Sequence, residues 1–327
     1  MSNTTSPRPL LEGALLAGIS AILAFIGTYL PIAGTLAFFV VAVPIIVAIV
    51  RNNLFTGVLA SITAFLLVSF LAGPIVGVGF YLQFMILALV YGVMFKNKKS
   101  AGKILGAGTI IAIATMVLNI FLIMVIGQID LAEQKEVIYQ SIDQVIRIYE
   151  ESGLLEQYES QGISKEELRR IMTLMVNSFL SVLPSVLLVG SVFTAFVNFL
   201  VARSVLNKLG YKSPGFPPFS QWRVSWYVIW GLIIGWGSYL LGDIYQMNFF
   251  TIAGKNIMIG YSLLLLVLGL SVISFYFKKF KLTTFSRLLL ITVGVLMFHI
   301  AALIIMFIGM FDLVLDFRKL SSDGKSS

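Results

Sequence analysis

QIDLAEQKEVIYQSIDQVIRIYEESGLLEQYESQGISKEELRR, residues 128–170, is a long hydrophilic stretch set between two very apolar blocks. Its acids are Asp130, Glu133, Glu136, Asp143, Glu150, Glu151, Glu156, Glu159, Glu166 and Glu167, against Lys135, Arg147, Lys165, Arg169 and Arg170. Ten acids against five bases give it a charge of −5, in a chain whose total is +8. A stretch with its own charge sign needs its own surroundings, and the blocks on either side show what these are.

Hydrophobic residues fill 58% of the 327 positions and charged residues 12%, where soluble domains carry about 25% charged. A water-soluble fold of this size cannot hide so much apolar surface. A bilayer can, because each helical crossing takes about 20 apolar residues. The apolar runs are unbroken rather than alternating, which excludes a β-barrel. The fold class is therefore all-α, a polytopic transmembrane helical bundle of about nine spans. A helical acidic insertion outside the membrane, 128–170, separates spans five and six.

The basic excess does not point to nucleic acid. Lys and Arg gather in short loops between apolar runs, as loops kept in the cytoplasm do. The absence of cysteine excludes disulfides, thiolate nucleophiles and Cys-based metal centres. Only Arg8 precedes the first apolar run and no small-x-small cleavage site follows, so that run reads as a retained span.

Met1 to Pro9 reads as a disordered lead. Pro9 then starts a helix with Glu12 in its first turn, where the helix dipole favours an anion. The expected spans are 12–30, 35–50, 54–72, 76–95 and 104–127 in a first block, 1–127. A long sixth, 171–203, leads to spans 224–242, 256–277 and 286–310 in a second block, 204–327, which ends in a polar tail. Between the blocks, Asp130-x-x-Glu133 and Ser164-x-x-Glu167 read as capping boxes. Ile138, Ile142, Val145 and Tyr149 share one helical face, which packs on the membrane surface or on the protein's own rim. The helix that starts at Ser164 is about 60 Å long at 1.5 Å per residue, twice the ~30 Å hydrocarbon core. It must tilt, project into water or kink, and Pro184 offers the kink. Trp222, Trp226 and Trp230 flank the seventh span at headgroup level.

A cytoplasmic N-terminus puts Arg8, Arg51, Lys96, Lys98, Lys99, Lys103, Arg203, Lys208, Lys212, Arg223, Lys278, Lys279, Lys281 and Arg287 inside. That is 14 of 23 bases, with Glu12 alone of 15 acids. This is the orientation of a bacterial cytoplasmic-membrane protein. Arg318 and Lys319 resist, because nine crossings leave them outside unless two spans form one broken hairpin.

Enzyme signatures are missing. There is no His-Glu-x-x-His, and one histidine makes no metal site. Ala101-Gly102-Lys103 resembles the end of a phosphate loop, but Asn97 and Ile104 replace its Gly and Ser/Thr. No Gly-x-Ser-x-Gly occurs, and no span holds two carboxylates. The reading is a non-enzyme with no cofactor and no metal.

Two small-residue faces stand out: Ala14, Ala17, Gly18 and Ala21 on the first span, and Gly231-x-x-x-Gly235 on the seventh. They serve packing within the protein or docking of a partner helix, and the first span is the better docking candidate. Polar side chains inside spans need partners. Thr28, Tyr29, Tyr81, Gln83, Asn119, Asn177, Ser178 and Ser181 all fall in the outer half of the first six spans. They form either ordinary interhelical hydrogen bonds or one outward-facing pocket, with Tyr29, Tyr81, Gln83, Asn119, Asn177 and Ser181 as its binding residues. His299 and Asp243 read as a proton relay or as separate interhelical contacts. No acid is buried mid-span, which counts against a proton-driven carrier.

Leu11-Glu12-Gly13-Ala14-Leu15-Leu16-Ala17-Gly18 and Gly309-Met310-Phe311-Asp312-Leu313-Val314-Leu315-Asp316-Phe317-Arg318-Lys319 resemble the YybS-like bacterial membrane proteins, a domain of unknown function. Where that resemblance leads one to expect Gln-Gly-Leu in the eighth span, this chain has Leu268-Gly269-Leu270. More distantly, the first six spans look like the S components of energy-coupling-factor vitamin transporters. That resemblance implies capture of a small molecule from outside. It also implies a first-helix face, here Ala14, Ala17, Gly18 and Ala21, that meets a membrane coupling subunit driven by a separate ATPase. The three extra spans depart from the six-helix pattern. The competing readings are a membrane scaffold that recruits envelope partners through 128–170, and a secondary carrier using His299 and Asp243. The expected partners are thus the lipid bilayer, coupling subunits or other membrane proteins, and a small-molecule ligand, with no nucleic acid.

Overall fold

The computed structural model describes residues 7–126 and 131–319, with the backbone alone at Leu131 and Ala132. Asp130 of the first capping box and the tail beyond Lys319 lie outside the described residues. Regular structure among the described residues is helical throughout, and nine helices are long and apolar enough to cross a membrane. They fall into two compact units. One comprises the described chain up to Thr173 with Leu187–Gly215; the other holds Leu174–Val186 and the chain from Phe216.

In the first unit, α1 (Pro7–Tyr29) starts at Pro7 rather than Pro9, so Glu12 stands beyond the first turn. Its role is an ion pair. Glu12 Oε1 lies 2.7 Å from Arg51 Nε, and Oε2 accepts from Asn52 Nδ2 at 3.2 Å. The expected second span begins earlier and is interrupted, as α2 (Pro31–Phe38) and α3 (Val43–Arg51). At the interruption Ser20 Oγ donates to the Val41 carbonyl at 3.0 Å, supplying a bond the broken ladder lacks. Ile45, Ile46 and Ile49 of α3 are fully buried and form the unit's core.

α4 (Leu54–Ala72) is capped by Asn53, which accepts from the Thr56 N–H at 2.8 Å. α5 (Pro74–Phe80) passes through a π-helical turn, Tyr81–Met85, into α6 (Ile86–Lys96). α7 (Ala101–Ile126) completes the fifth crossing. Lys96 Nζ donates to the carbonyls of Ile49, at 3.2 Å, and Asn52. This gathers Glu12, Arg51 and Lys96 at one end.

The acidic stretch forms α8 (Leu131–Glu151) and α9 (Leu154–Ser160) before α10 (Lys165–Lys208). α8 packs on its own neighbours in this unit, one of the two surfaces expected for it. Ile142 and Ile146 are buried with Leu155 and Leu168. Asp143 holds Arg169 at 2.8 and 2.9 Å, Glu150 pairs with Lys165, and Tyr149 stacks on Tyr158. Ser164 caps α10 by accepting from the Glu167 N–H at 3.2 Å. The helix is 44 residues long, about 66 Å at 1.5 Å per residue. Tyr91 Oη donates to the Ala195 carbonyl at 2.9 Å and Phe95 stacks on Phe199, so α10 runs alongside α6 in the same direction. Arg203 and Lys208 therefore share the Lys96 end, and the acidic helices sit at the opposite end of this unit.

In the second unit, α11 (Ile229–Ile244) and α12 (Asn248–Lys279) form an antiparallel hairpin. A methyl group on Gly231 would overlap the Tyr261 ring and one on Gly235 would meet Ile257, so this small-residue face packs within the protein. The ninth span expected at 286–310 is not one helix. It is α13 (Thr284–Leu296) and α14 (Phe298–Leu315), divided at Met297. α13 has 13 residues, about 20 Å, too short for a ~30 Å core. Gly309 abuts the Leu265 carbonyl and Gly269 that of Ile305, and Tyr276 Oη donates to the Phe317 carbonyl at 3.4 Å. α14 thus runs parallel to α12 and ends where α12 ends. The broken hairpin returns Arg318 to the Lys278 end of this unit, where both side chains bond Ser220, rather than to the opposite end that nine simple crossings imply.

Candidate functional site

Three of the outer-half polar residues meet around the π turn. A π turn widens the helix by one residue and disturbs the regular ladder. Asn119 of α7 donates through Nδ2 to the Gly79 carbonyl at 3.1 Å, just before the turn. Tyr81, the first residue of the turn, packs edge-on against Phe65 with ring centroids 5.6 Å apart, and half-buried Gln83 follows. A cavity of about 300 Å³ opens here, lined by Ile62, Phe65, Val78, Tyr81 and Leu82. The sequence set suggested a polar pocket, yet these walls are apolar and Tyr81 lends them its ring.

The remaining members lie elsewhere. Tyr29 is 54% exposed at the end of α1, its ring against Phe25. Asn177 and Ser181 belong to the second unit, where the Ser181 hydroxyl donates to the Ser178 carbonyl at 2.7 Å. On the first-helix face, Ala17 and Ala21 are buried within the unit, whereas Ala14 is exposed and half-buried Gly18 has open space where a methyl group would stand. Among the described residues no hydrogen bond or ion pair joins His299 to Asp243, and both are exposed.

The second unit holds two arrangements that residue-by-residue reading missed. At Pro184 helix α10 loses one N–H donor. Asn256 of α12 stands across the next step: its Nδ2 donates to the Ser181 carbonyl at 2.7 Å, and its Oδ1 accepts from the Ser185 N–H at 2.8 Å. In an uninterrupted helix those two backbone groups pair with each other. The signal was an intramembrane Asn facing a helix proline, but 72 positions separate the two in sequence.

Beyond α14, Arg318 is 6% exposed and uses all five of its N–H donors. Nε and Nη2 bond Asp312 Oδ2 at 3.0 and 2.8 Å, Nη1 bonds the Ser220 carbonyl and Ser271 Oγ at 2.9 and 2.8 Å, and Nη2 also reaches the Trp222 carbonyl at 2.8 Å. Lys278 Nζ adds a bond to Ser220 Oγ at 3.1 Å. Trp222, expected as a membrane anchor, is drawn into this loop, its Nε1 donating to the Pro217 carbonyl at 3.0 Å. Trp226 and Trp230 are 63% and 55% exposed, as headgroup anchors are. A second cavity, about 580 Å³, borders the cluster. Leu268, standing where the family resemblance leads one to expect Gln, is in its wall.

Apolar helices of bilayer length, joined by polar and charged clusters at their ends, define a polytopic α-helical membrane protein. Comparison with known proteins agrees and goes one step further. The chain belongs to the family described as "Predicted membrane protein (DUF2232)", whose pattern matches residues 18–313. It is 26% identical over 273 residues to "Uncharacterized protein YybS" of Bacillus subtilis (strain 168), covering 83% of this chain and 85% of that protein. No solved structure matches it.

Proposed function

We propose that the protein is a non-enzymatic subunit of the bacterial cytoplasmic membrane that captures a small molecule from outside, as an S component does, with its N-terminus in the cytoplasm. One observation carries this reading: Tyr81, Gln83 and Asn119 gather at a single π turn with a cavity of about 300 Å³ beside it. The apolar walls and the Tyr81 ring suit a ligand with a flat, apolar body. The separation of bases and acids to opposite ends of the first unit supports the orientation. Transport energy would come from a separate ATPase module, and the outward Ala14 and Gly18 offer a coupling subunit a close approach.

The test uses the full-length purified chain. Vitamins, nucleobases and metal ions are screened by thermal shift, and copurified compounds are identified by mass spectrometry. One class is expected to raise Tm, and Tyr81→Ala to abolish the rise. Absence of both a shift and a copurified compound overturns the reading, as does a tag near Glu150 that is labelled only from the cytosol.

A scaffold role has its own support in the buried Ile142, Ile146, Leu155 and Leu168, which make the α8–α9 region a folded platform carrying charged side chains. Deleting 131–162 separates the two readings. A scaffold loses its partner in pulldowns while ligand binding survives.

A further inference from the structure

The cavity of about 580 Å³ in the second unit is a separate matter from the π-turn cavity, and nothing in this inference rests on small-molecule uptake. Its wall carries Asp312, Asp316, Arg318 and Arg223, together with Trp226 and Tyr227. Arg318 cannot serve a ligand, because all five of its donors are engaged. The other half of the ion pair is incomplete. The Asp312 side chain is 8% exposed, and its Oδ1 is buried without a hydrogen-bond partner. A buried carboxylate oxygen left without a donor is unfavourable, so the site favours whatever brings one.

Position narrows the donor. The cavity lies at the end of the unit that bears Lys278 and the 219–225 loop. Trp226 and Tyr227 are 63% and 61% exposed there, the amphipathic rings expected at headgroup depth. A donor at that depth belongs to a lipid headgroup or a soluble molecule of the same chemistry. Asp312, with its unpaired oxygen, favours a hydrogen-bond-donating cationic end, whereas Arg223 on the same wall favours an anionic one. Together they match a zwitterion.

We propose that this cavity binds a phospho-alkylammonium group, the ammonium donating toward Asp312 and the phosphate facing the Arg223 guanidinium. Its volume is in the usual range for small-molecule sites and leaves room for the glycerol end of a phosphatidylethanolamine.

The test measures thermal unfolding of the full-length chain in detergent, titrated separately with dioctanoyl phosphatidylethanolamine, dioctanoyl phosphatidylglycerol, free phosphoethanolamine and inorganic phosphate. The phosphatidylethanolamine is expected to raise Tm most. Free phosphoethanolamine does the same at higher concentration if a lipid is the natural source, and at equal concentration if the soluble group is. Arg223→Gln, on an exposed side chain, is expected to leave Tm in detergent alone unchanged and to weaken the response about tenfold, a loss of roughly 1.4 kcal/mol. Asp312→Asn removes the response too, but it also disturbs Arg318, so Arg223→Gln decides. Equal stabilisation by phosphatidylglycerol or inorganic phosphate shows an anion site and overturns the proposal. A wild-type response in Arg223→Gln overturns it as well.

Discussion

Among the acid–base pairs that fasten helices in the described residues, two differ in one respect. Glu12–Arg51 in the first unit and Asp312–Arg318 in the second have closest approaches of 2.7 and 2.8 Å. The side chains of the first pair are 23% and 46% exposed, those of the second 8% and 1%. The same chemistry therefore plays two roles. Water screens the first pair and competes for its hydrogen bonds, so it adds little. The second is closed off, and every bond Arg318 makes replaces hydration it has lost. Burial, rather than distance, decides how far each unit depends on its pair.

Arg318→Ala breaks the comparison most severely. It strands Asp312, takes the donor from the Ser220 carbonyl and one of two donors from the Trp222 carbonyl, and should cost about 3–5 kcal/mol. Thermal unfolding in detergent reads this, and an unchanged Tm would mean that the pair is solvated after all. Asn256→Ala comes next, at about 1–3 kcal/mol, because Ser181 and Ser185 lose the amide bridging them. Hydrogen exchange at the Ser185 amide should accelerate, and an unaltered rate argues against the bridge.

Asn119→Ala removes a neutral interhelical bond and should cost about 0.6–1.7 kcal/mol. A larger loss, measured in the same melts, would give the π turn a greater structural share than one hydrogen bond explains. Glu12→Gln is the smallest change, within about 1 kcal/mol and shrinking as salt is added. Should it rival Arg318→Ala, the contrast between the pairs collapses.

Legibility followed the range of the interactions. The helix Leu54–Ala72 keeps the bounds expected for it, because Asn53 caps its start and Gly73-Pro74 stops it, both adjoining the apolar run. The division at Met297 was hidden, since Leu296-Met297-Phe298 carries neither Pro nor Gly and apolarity continues across it. The π turn was likewise silent, but Tyr81, Gln83 and Asn119 were already grouped by depth. Their depth follows from counting along each span. The apolar lining of their cavity depends on Ile62 and Phe65, contributed by another helix.

By itself the sequence determined the solvent of this protein and the material of its fold: lipid-length apolar helices, basic loops, and an acid-rich helical stretch. Those are properties of consecutive residues, summed over windows no longer than a span. Only the tertiary structure decided that Arg318 is buried, that Asn256 bridges the step after Pro184, and that the tail returns to the Lys278 end. Each depends on groups about 40 to 100 positions apart meeting at hydrogen-bond distance, and no local pattern records which partner a buried polar group will find.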